Sequence, residues 1–504
     1  MPDPIVETTH GKVRGTALPG AYAFLGIPYA KATRFEAPQP TESWGGIFGA
    51  QTFGPMAPQT DPRPNAPGYG IILEHMGAPR GTPPIENEDC QALNIWTADL
   101  KPELLKPVMV WLHPGFFMVG TGASGNGARL AARGDVVTVS LNHRLNLFGF
   151  THLDDVAEGF HGSGNAGMLD IVAALNWVQA NIAQFGGDPG RVMVFGASGG
   201  GMKTAWLIAS PAGKGLLHCA GAQSGPCLTF MERDDATAIT EQLLHALDLK
   251  PTQADALRTL PVETLLAAYH SLRVRNRPRR FTHLASFAPV LDPILLPRHP
   301  FTPDATPLAR DIPMLMGWNR QDMAFFAGND LASLSLDSAG LKQRLADQFG
   351  NRAEALERVY RSADPLAQPS EIWLRVYSDY AIGGAVLAQA ERKGALKGAP
   401  TFVYRFDHPS PTFEGKLGAV HSSETGYVFG NPGPFADGGA DASSLAQCIQ
   451  DRWVHFAATG DVNLSDGAMP YWPAFGPDKQ VMSLGIKPEL LCDPISDHTA
   501  WAVP

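Results

Sequence analysis

Residues 196–200, Gly-Ala-Ser-Gly-Gly, read G-x-S-x-G, with an apolar, β-branched lead-in over 191–195 and a helix-compatible tail over 202–208. Small residues on both sides of a serine let the chain turn sharply from strand to helix. Such a turn pushes the hydroxyl beyond the sheet, where a substrate carbonyl can reach it. Ser198 is therefore the candidate nucleophile. A serine hydroxyl is a weak nucleophile at neutral pH. It needs a base within hydrogen-bond reach, a third group to orient that base, and N–H donors for the developing oxyanion. A histidine and a carboxylate on loops after other strands of the same sheet could supply the first two.

His421, in Gly418-Ala419-Val420-His421-Ser422-Ser423-Glu424, meets that description. It sits among small residues after a strand-like run at 401–406 and a polar, Pro-rich loop. His408 lies closer to the end of the same strand, and pattern alone does not separate the two. His455 falls inside a helical run, and His498 is a distant competitor. For the acid, Asp322 follows a strand-like run at 313–316 on the next loop; an Asp there also suits an ordinary cap or turn. For the oxyanion, His113-Pro114-Gly115-Phe116-Phe117 follows the apolar run 108–112, and a sharp loop there can turn backbone N–H groups toward Ser198. The N–H of Gly199 joins them.

The elements that must position these residues follow from periodicity. The runs 108–112 and 136–141 are continuously apolar, as in strands buried on both faces of a parallel sheet. In 168–185, Met168, Val172, Leu175, Val178, Ile182 and Phe185 recur at helical spacing, and Gly186-Gly187-Asp188-Pro189 ends the run with turn chemistry. A strand at 192–195 completes a strand–helix–strand unit, so the fold class is α/β. Residues 1–60 carry short β-forming runs between turn residues and read as a β-meander; 61–87 reads as a loop. Helices are expected at 240–247, 262–272, 341–349, 352–361, 371–391 and 445–458. The whole chain, 1–504, is expected to form one domain, with 230–395 a largely helical insertion over the strand ends that contains the acid loop.

Composition narrows the class further. The chain has 504 residues, 44% hydrophobic and 17% charged, with net charge −10. That is ordinary for a soluble globular protein and gives no reason to expect nucleic acid. Neither a secretory h-region nor an apolar run of about 18 residues is present. The five cysteines are odd in number and widely spread, which does not build a disulfide framework. A cytoplasmic location is expected, or a secreted one if a signal peptide has been removed. Arg273, Arg275, Arg277, Arg279 and Arg280 form a local basic cluster. It reads as a solvated loop or as a rim attracting anionic substrates.

The motifs together resemble the type-B carboxylesterase and cholinesterase family of α/β-hydrolases, as a bacterial-type member. Blocks in family order run from Phe24-Leu25-Gly26-Ile27-Pro28-Tyr29 and Glu88-Asp89-Cys90 through Asn142-His143-Arg144 and Gly164-Asn165-Ala166-Gly167. They continue through the Ser198 turn and Gln223-Ser224-Gly225 to Gly317–Phe326, His421-Ser422-Ser423-Glu424 and Trp472-Pro473. The resemblance implies an α/β-hydrolase fold: a large, mostly parallel sheet with helices on both faces. It implies Ser198 as nucleophile, His421 as base, Asp322 as acid, and Gly115, Phe116 and Gly199 as oxyanion donors. It also implies structural ion pairs Arg34–Glu88 and Arg144–Asp170, with Ser224 and Glu424 supporting the triad from behind.

The chain departs from the family pattern at informative places. Asp322 stands where the family more often has Glu, and Gln321 where it has Asp. Pro114 and Phe116 replace glycines of H-G-G-G-F. Ala197 stands where Glu often precedes the nucleophile. Cys90 has no upstream cysteine to pair with.

The expected function is a serine carboxylic-ester hydrolase acting through an acyl-enzyme on small to medium apolar or aromatic esters. The pocket lining is expected from Phe116, Phe117, Met118, Met202, Phe281, Phe287, Trp318, Met323, Phe325 and Phe326. No metal or organic cofactor is implied. The expected partner is a small-molecule ester, with no nucleic acid and no membrane, in a monomer or weak homo-oligomer. An amidase or carbamate hydrolase with the same triad is the nearest rival. A non-catalytic binding protein on this scaffold would lose Ser or His, and this chain keeps both.

Overall fold

The continuous apolar runs form the centre of an 11-stranded sheet. The computed structural model describes residues 3–60, 85–272, 287–435, 439–465 and 467–495, without the side chains of 328 and 329. In chain order the strands of this sheet are β1 (Thr16–Leu18), β2 (Ala21–Pro28), β3 (Ala92–Thr97), β4 (Lys106–Leu112) and β5 (Val137–Leu141). They continue as β6 (Gly187–Ala197), β7 (Cys219–Gln223), β8 (Met314–Asn319), β9 (Thr401–Phe406), β10 (Gln480–Leu484) and β11 (Glu489–Cys492). Their spatial order is β11-β10-β9-β8-β7-β6-β4-β5-β3-β2-β1. From β5 to β10 all pairings are parallel, and the flanking pairs are antiparallel. This is the α/β-hydrolase fold. The N-terminal meander is divided: Ile5–Thr8, Gly11–Arg14 and Ile47–Gly49 form a separate 3-stranded sheet, while β1 and β2 extend the edge of the large one.

Alternate residues of the central strands enter two different cores. Val108, Val110, Val192, Val194, Ala220 and Met314 pack on one side. Met109, Trp111, Met193, Phe195, Cys219 and Leu315 pack on the other. A strand buried on both faces cannot alternate apolar with polar, which explains the continuous runs in the sequence. Each fully buried Val, Leu, Met or Phe among them contributes about 1.5–3 kcal/mol.

Helices cover both faces. They are α1 (Ala166–Asn181), α2 (Gly199–Ala209), α3 (Arg233–Ala246), α4 (Val262–Ser271) and α5 (Ser338–Phe349). Then come α6 (Ala353–Ala363), α7 (Pro369–Ser378), α8 (Gly384–Gly394), α9 (Ser423–Val428) and α10 (Ala440–Thr459). The helical pattern at 168–185 continues past α1 as a 3-10 turn, Ile182–Phe185, and stops at Gly186 with φ 83. The run 371–391 is not one helix: a π turn, Asp379–Gly383, separates α7 from α8. The range 230–395 is helical on both sides of β8, which passes through it as a strand of the sheet. No helix of the described residues is long and apolar enough to cross a membrane.

Two ion pairs, one buried and one half-buried, hold the N-terminal segments to this frame. Arg144 meets Asp170 at 2.6 Å and also donates to the carbonyls of Thr33 and Glu36. Arg34 meets Glu88 at 2.5 Å and donates to the carbonyl of Leu257. Both pairs implied by the resemblance therefore form. Removing one partner of the buried Arg144–Asp170 pair costs about 3–5 kcal/mol, because the other charge is left uncompensated.

Candidate active site

Register brings the site residues to one edge. Gly196 pairs with Leu112, Ala197 with Gln223, Gln223 with Gly317, and Asn319 with Phe406. The carboxyl ends of β4, β6, β7, β8 and β9 are thus level, and the loops that leave them share one rim, the usual place for a site in such sheets.

Ser198 leaves β6 and begins α2 with φ 54 and ψ −122, a conformation that costs a non-glycine residue on the order of 1–3 kcal/mol. Its N–H donates to the Gln223 carbonyl at 2.7 Å, which prolongs the β6–β7 ladder by one rung. The glycines around it are required by contact. A Cβ on Gly196 or Gly200 would overlap the Leu112 carbonyl oxygen, and one on Gly199 would overlap the backbone of Phe116. The turn therefore lies directly against the loop after β4. The two segments that carry the candidate oxyanion donors, Gly115-Phe116 and Gly199, are in contact. Gly199 also opens α2, where the first N–H groups lack partners inside the helix and the dipole favours negative charge. Phe116 takes φ 55 and Gly115 φ 97, so the Phe ring is carried on a left-handed backbone of the kind the family's glycine would adopt without strain.

Asp322 and His421 meet across the gap between β8 and β9. His421 Nδ1 and Asp322 Oδ1 are 2.7 Å apart, and both side chains are buried. The second carboxylate oxygen accepts the Asn319 N–H at 2.7 Å. The shorter acid therefore reaches the imidazole, held by a tight turn from the end of β8. The loop carrying His421 is clamped by Gln321. Its N–H donates to the Ala419 carbonyl at 3.1 Å, and its side-chain oxygen accepts the Ala419 N–H at 3.0 Å. Because Nδ1–H donates to the carboxylate, Nε2 carries the lone pair that a general base needs.

Behind this pair lies a second buried carboxyl. Asn319 donates its side-chain amide to Glu424 at 2.6 Å and to the Val420 carbonyl at 2.6 Å, and Gln223 donates to Glu424 at 3.2 Å. Burial, with the Asp322 charge, pushes Glu424 up to about 7. Gln223 thus links the Ser198 strand to Glu424, and Asn319 links Glu424 to Asp322. Sequence reasoning found Glu424 but missed Asn319, Gln223 and Gln321, whose roles depend on which loop each faces.

Other expectations divide. Ser224 makes no direct hydrogen bond to Asp322 among the described residues; its N–H donates to the Gly317 carbonyl. Asn319 satisfies that carboxylate locally instead. His408 is packed between the rings of Phe406 and Tyr427 rather than beside Asp322. His455 lies on α10, and His498 lies outside the described residues.

Of the expected pocket residues, Phe117, Met202, Phe287, Trp318 and Met323 belong to the packed core. The Phe117 ring lies against Phe150 and Phe230, and Trp318 donates its indole N–H to Asp379 at 3.0 Å. Phe116, Met118, Phe325 and Phe326 are half-buried, and the last two have ring centroids 5.9 and 5.4 Å from that of His421. Phe281 and the arginines from 273 to 280 lie outside the described residues.

The chain resembles known esterases along nearly its whole length. The sequence profile of the carboxylesterase family matches residues 2–498. The chain is 36% identical over 489 residues to the para-nitrobenzyl esterase of Bacillus subtilis, covering 94% of this chain and 93% of that one. It is 32% identical to the phenmedipham hydrolase of Pseudarthrobacter oxydans, covering 94% and 93%. Among solved structures, a carboxylesterase of Geobacillus stearothermophilus superposes with a TM-score of 0.80 at 31% identity, covering 99% of both chains. An esterase of Clostridium hathewayi superposes with a TM-score of 0.82 at 31% identity, covering 97% and 96%. The turn at Ser198 and the buried His421–Asp322 pair thus sit on a scaffold shared along nearly its whole length with esterases: the chain belongs to the carboxylesterase family and is a serine ester hydrolase of α/β-hydrolase fold.

Proposed function

We propose that Ser198, His421 and Asp322 form the catalytic triad, with Gly115, Phe116 and Gly199 as the oxyanion hole. The observation that carries this reading is the 2.7 Å contact between His421 Nδ1 and Asp322 Oδ1, on the rim where Ser198 turns out of the sheet. His421 Nε2 takes the Ser198 proton as Oγ adds to the ester carbonyl, and the oxyanion is held by backbone N–H groups. The imidazolium, stabilised by Asp322, then protonates the leaving alcohol. A water, deprotonated by the same Nε2, cleaves the acyl-enzyme and returns Ser198 to its resting form.

The substrate reading is a small to medium apolar or aromatic ester. Its support is the aromatic group of Phe116, Phe325 and Phe326 around the turn and the imidazole, since apolar walls select apolar groups. Carbamate hydrolysis is the second reading, favoured by the 32% identity to a phenmedipham hydrolase. A panel of p-nitrophenyl esters of increasing acyl length, with matched anilides and carbamates, separates the two. The first reading expects esters to lead in kcat/KM, and a panel led by anilides or carbamates would replace it. The five free cysteines fit a reducing compartment such as the cytoplasm.

A further inference from the structure

Lys203 is the single charged residue of α2 and is fully buried. Among the described residues no carboxylate lies within ion-pair distance of it. Its Nζ donates to the His113 carbonyl at 3.0 Å and lies 5.8 Å from the centre of the Phe117 ring. His113 and Phe117 bracket the turn that carries the Gly115 and Phe116 N–H groups. One side chain therefore grips both ends of that turn. It does so from the helix whose first residues, Gly199 and Gly200, are pressed against Phe116 and Leu112. Lys203 follows Gly199 by one helical turn, on the same face.

Beyond the His113 carbonyl and the Phe117 ring, the surroundings do not favour a charged amine. The rings of His113 and His143 are stacked 4.9 Å apart with 9° between planes. Their Nδ1 atoms face the carbonyls of Pro114 at 2.8 Å and Arg144 at 2.7 Å, so each ring carries its proton on Nδ1. Burial and the neighbouring Lys203 charge hold both imidazoles well below the usual range, and burial brings the Lys203 amine down to about 7. Burying an ammonium without a carboxylate costs several kcal/mol, and an apolar residue would fill the same space without that penalty. A donor retained at such a cost, aimed at the loop facing the nucleophile, points to a task there.

We propose that Lys203 is a positioning residue for the oxyanion hole: by holding the His113 carbonyl and lying against Phe117, it fixes the turn that presents the Gly115 and Phe116 N–H groups. The inference rests on the assignment of Ser198 and its donor loop. Displacing oxyanion donors by an ångström costs on the order of 100-fold in rate, with little effect on ground-state binding.

The test compares Lys203→Met, Lys203→Gln and Ser198→Ala in the full-length enzyme. The readouts are kcat and KM on p-nitrophenyl butyrate, affinity for a trifluoromethyl ketone whose hemiketal oxyanion occupies the hole, and melting temperature. Lys203→Met is expected to melt no lower than wild type and to lose roughly 10- to 100-fold in kcat, with KM within about threefold. Inhibitor affinity should fall by the same factor as kcat. Gln keeps an N–H for the His113 carbonyl and should recover most of the loss. Wild-type kcat and inhibitor affinity in Lys203→Met, beside an inactive Ser198→Ala, would overturn the inference, as would a loss that Gln does not recover. An active Ser198→Ala would overturn the site assignment beneath it.

Discussion

His421 Nδ1 and Asp322 Oδ1 lie 2.7 Å apart although 99 residues separate them in the chain. Each is delivered by its own device: a turn closed by Asn319 onto Asp322, and a loop clamped at Ala419 by Gln321. The carboxylate fixes the tautomer and stabilises the imidazolium. Asp322→Asn should therefore lower kcat by about 10³- to 10⁴-fold, with a small change in KM. Steady-state kinetics on a p-nitrophenyl ester measure this; a wild-type rate would assign the acid to another residue.

Gly200→Ala should act against helix propensity. In an ordinary helix interior this change stabilises by about 1 kcal/mol. Here the new methyl would overlap the Leu112 carbonyl oxygen, so α2 or the loop after β4 must move. Both a lower melting temperature and reduced kcat are expected. A stabilised, fully active variant would mean that the contact between α2 and that loop is looser than described.

Phe116→Gly removes a ring from a left-handed backbone at φ 55. Relief of strain offsets the lost packing, so stability should stay within about 1 kcal/mol of wild type. The gain should appear in selectivity: kcat/KM for benzoyl or pivaloyl esters should rise about tenfold relative to acetyl esters. An unchanged ratio across the acyl series would place the ring outside the acyl site.

Glu424 titrates near 7 in the folded protein against an ordinary value of 4.5. Between these two values the folded state holds a proton that the unfolded chain has lost. Stability from this group therefore falls as pH rises through the window, and the full penalty, on the order of 3 kcal/mol, persists above it. Glu424→Gln has no such dependence. Its stability relative to wild type should increase between pH 4.5 and pH 8, as read from urea midpoints at both values. A difference constant with pH would mean that Glu424 ionises as an exposed glutamate does.

The sequence was most legible where one local pattern dictates one backbone. The Ser198 turn, the buried strands at 108–112 and 313–317, and the loops bearing Asp322 and His421 follow from small residues, continuous apolar runs and chain order. Side-chain direction was less legible. Phe117, Met202, Phe287, Trp318 and Met323 are apolar residues near the rim, yet packing turned them into the core, where Trp318 meets Asp379. Asn319, three residues before Asp322, holds the carboxylate oxygen from its own turn, a contact that no residue pattern announces. Lys203 left one signal: a lone charge within the otherwise uncharged run Gly199–Ala209. Its meaning appeared only when that helix face met the loop after β4. The split of 371–391 by a π turn left no clear mark, because nearly every residue on both sides of it is buried and no exposed face records the change of phase.

The proposed triad requires that ester hydrolysis pass through an acyl group on Ser198. The most direct measurement is mass spectrometry of the enzyme after reaction with a p-nitrophenyl phosphonate, together with kcat/KM of Ser198→Ala on a p-nitrophenyl ester. One phosphonyl adduct on the peptide containing Ser198 is expected, with a loss of roughly 10⁴-fold or more in the variant. An adduct on another residue, or a Ser198→Ala enzyme that hydrolyses the ester at the wild-type rate, would contradict it.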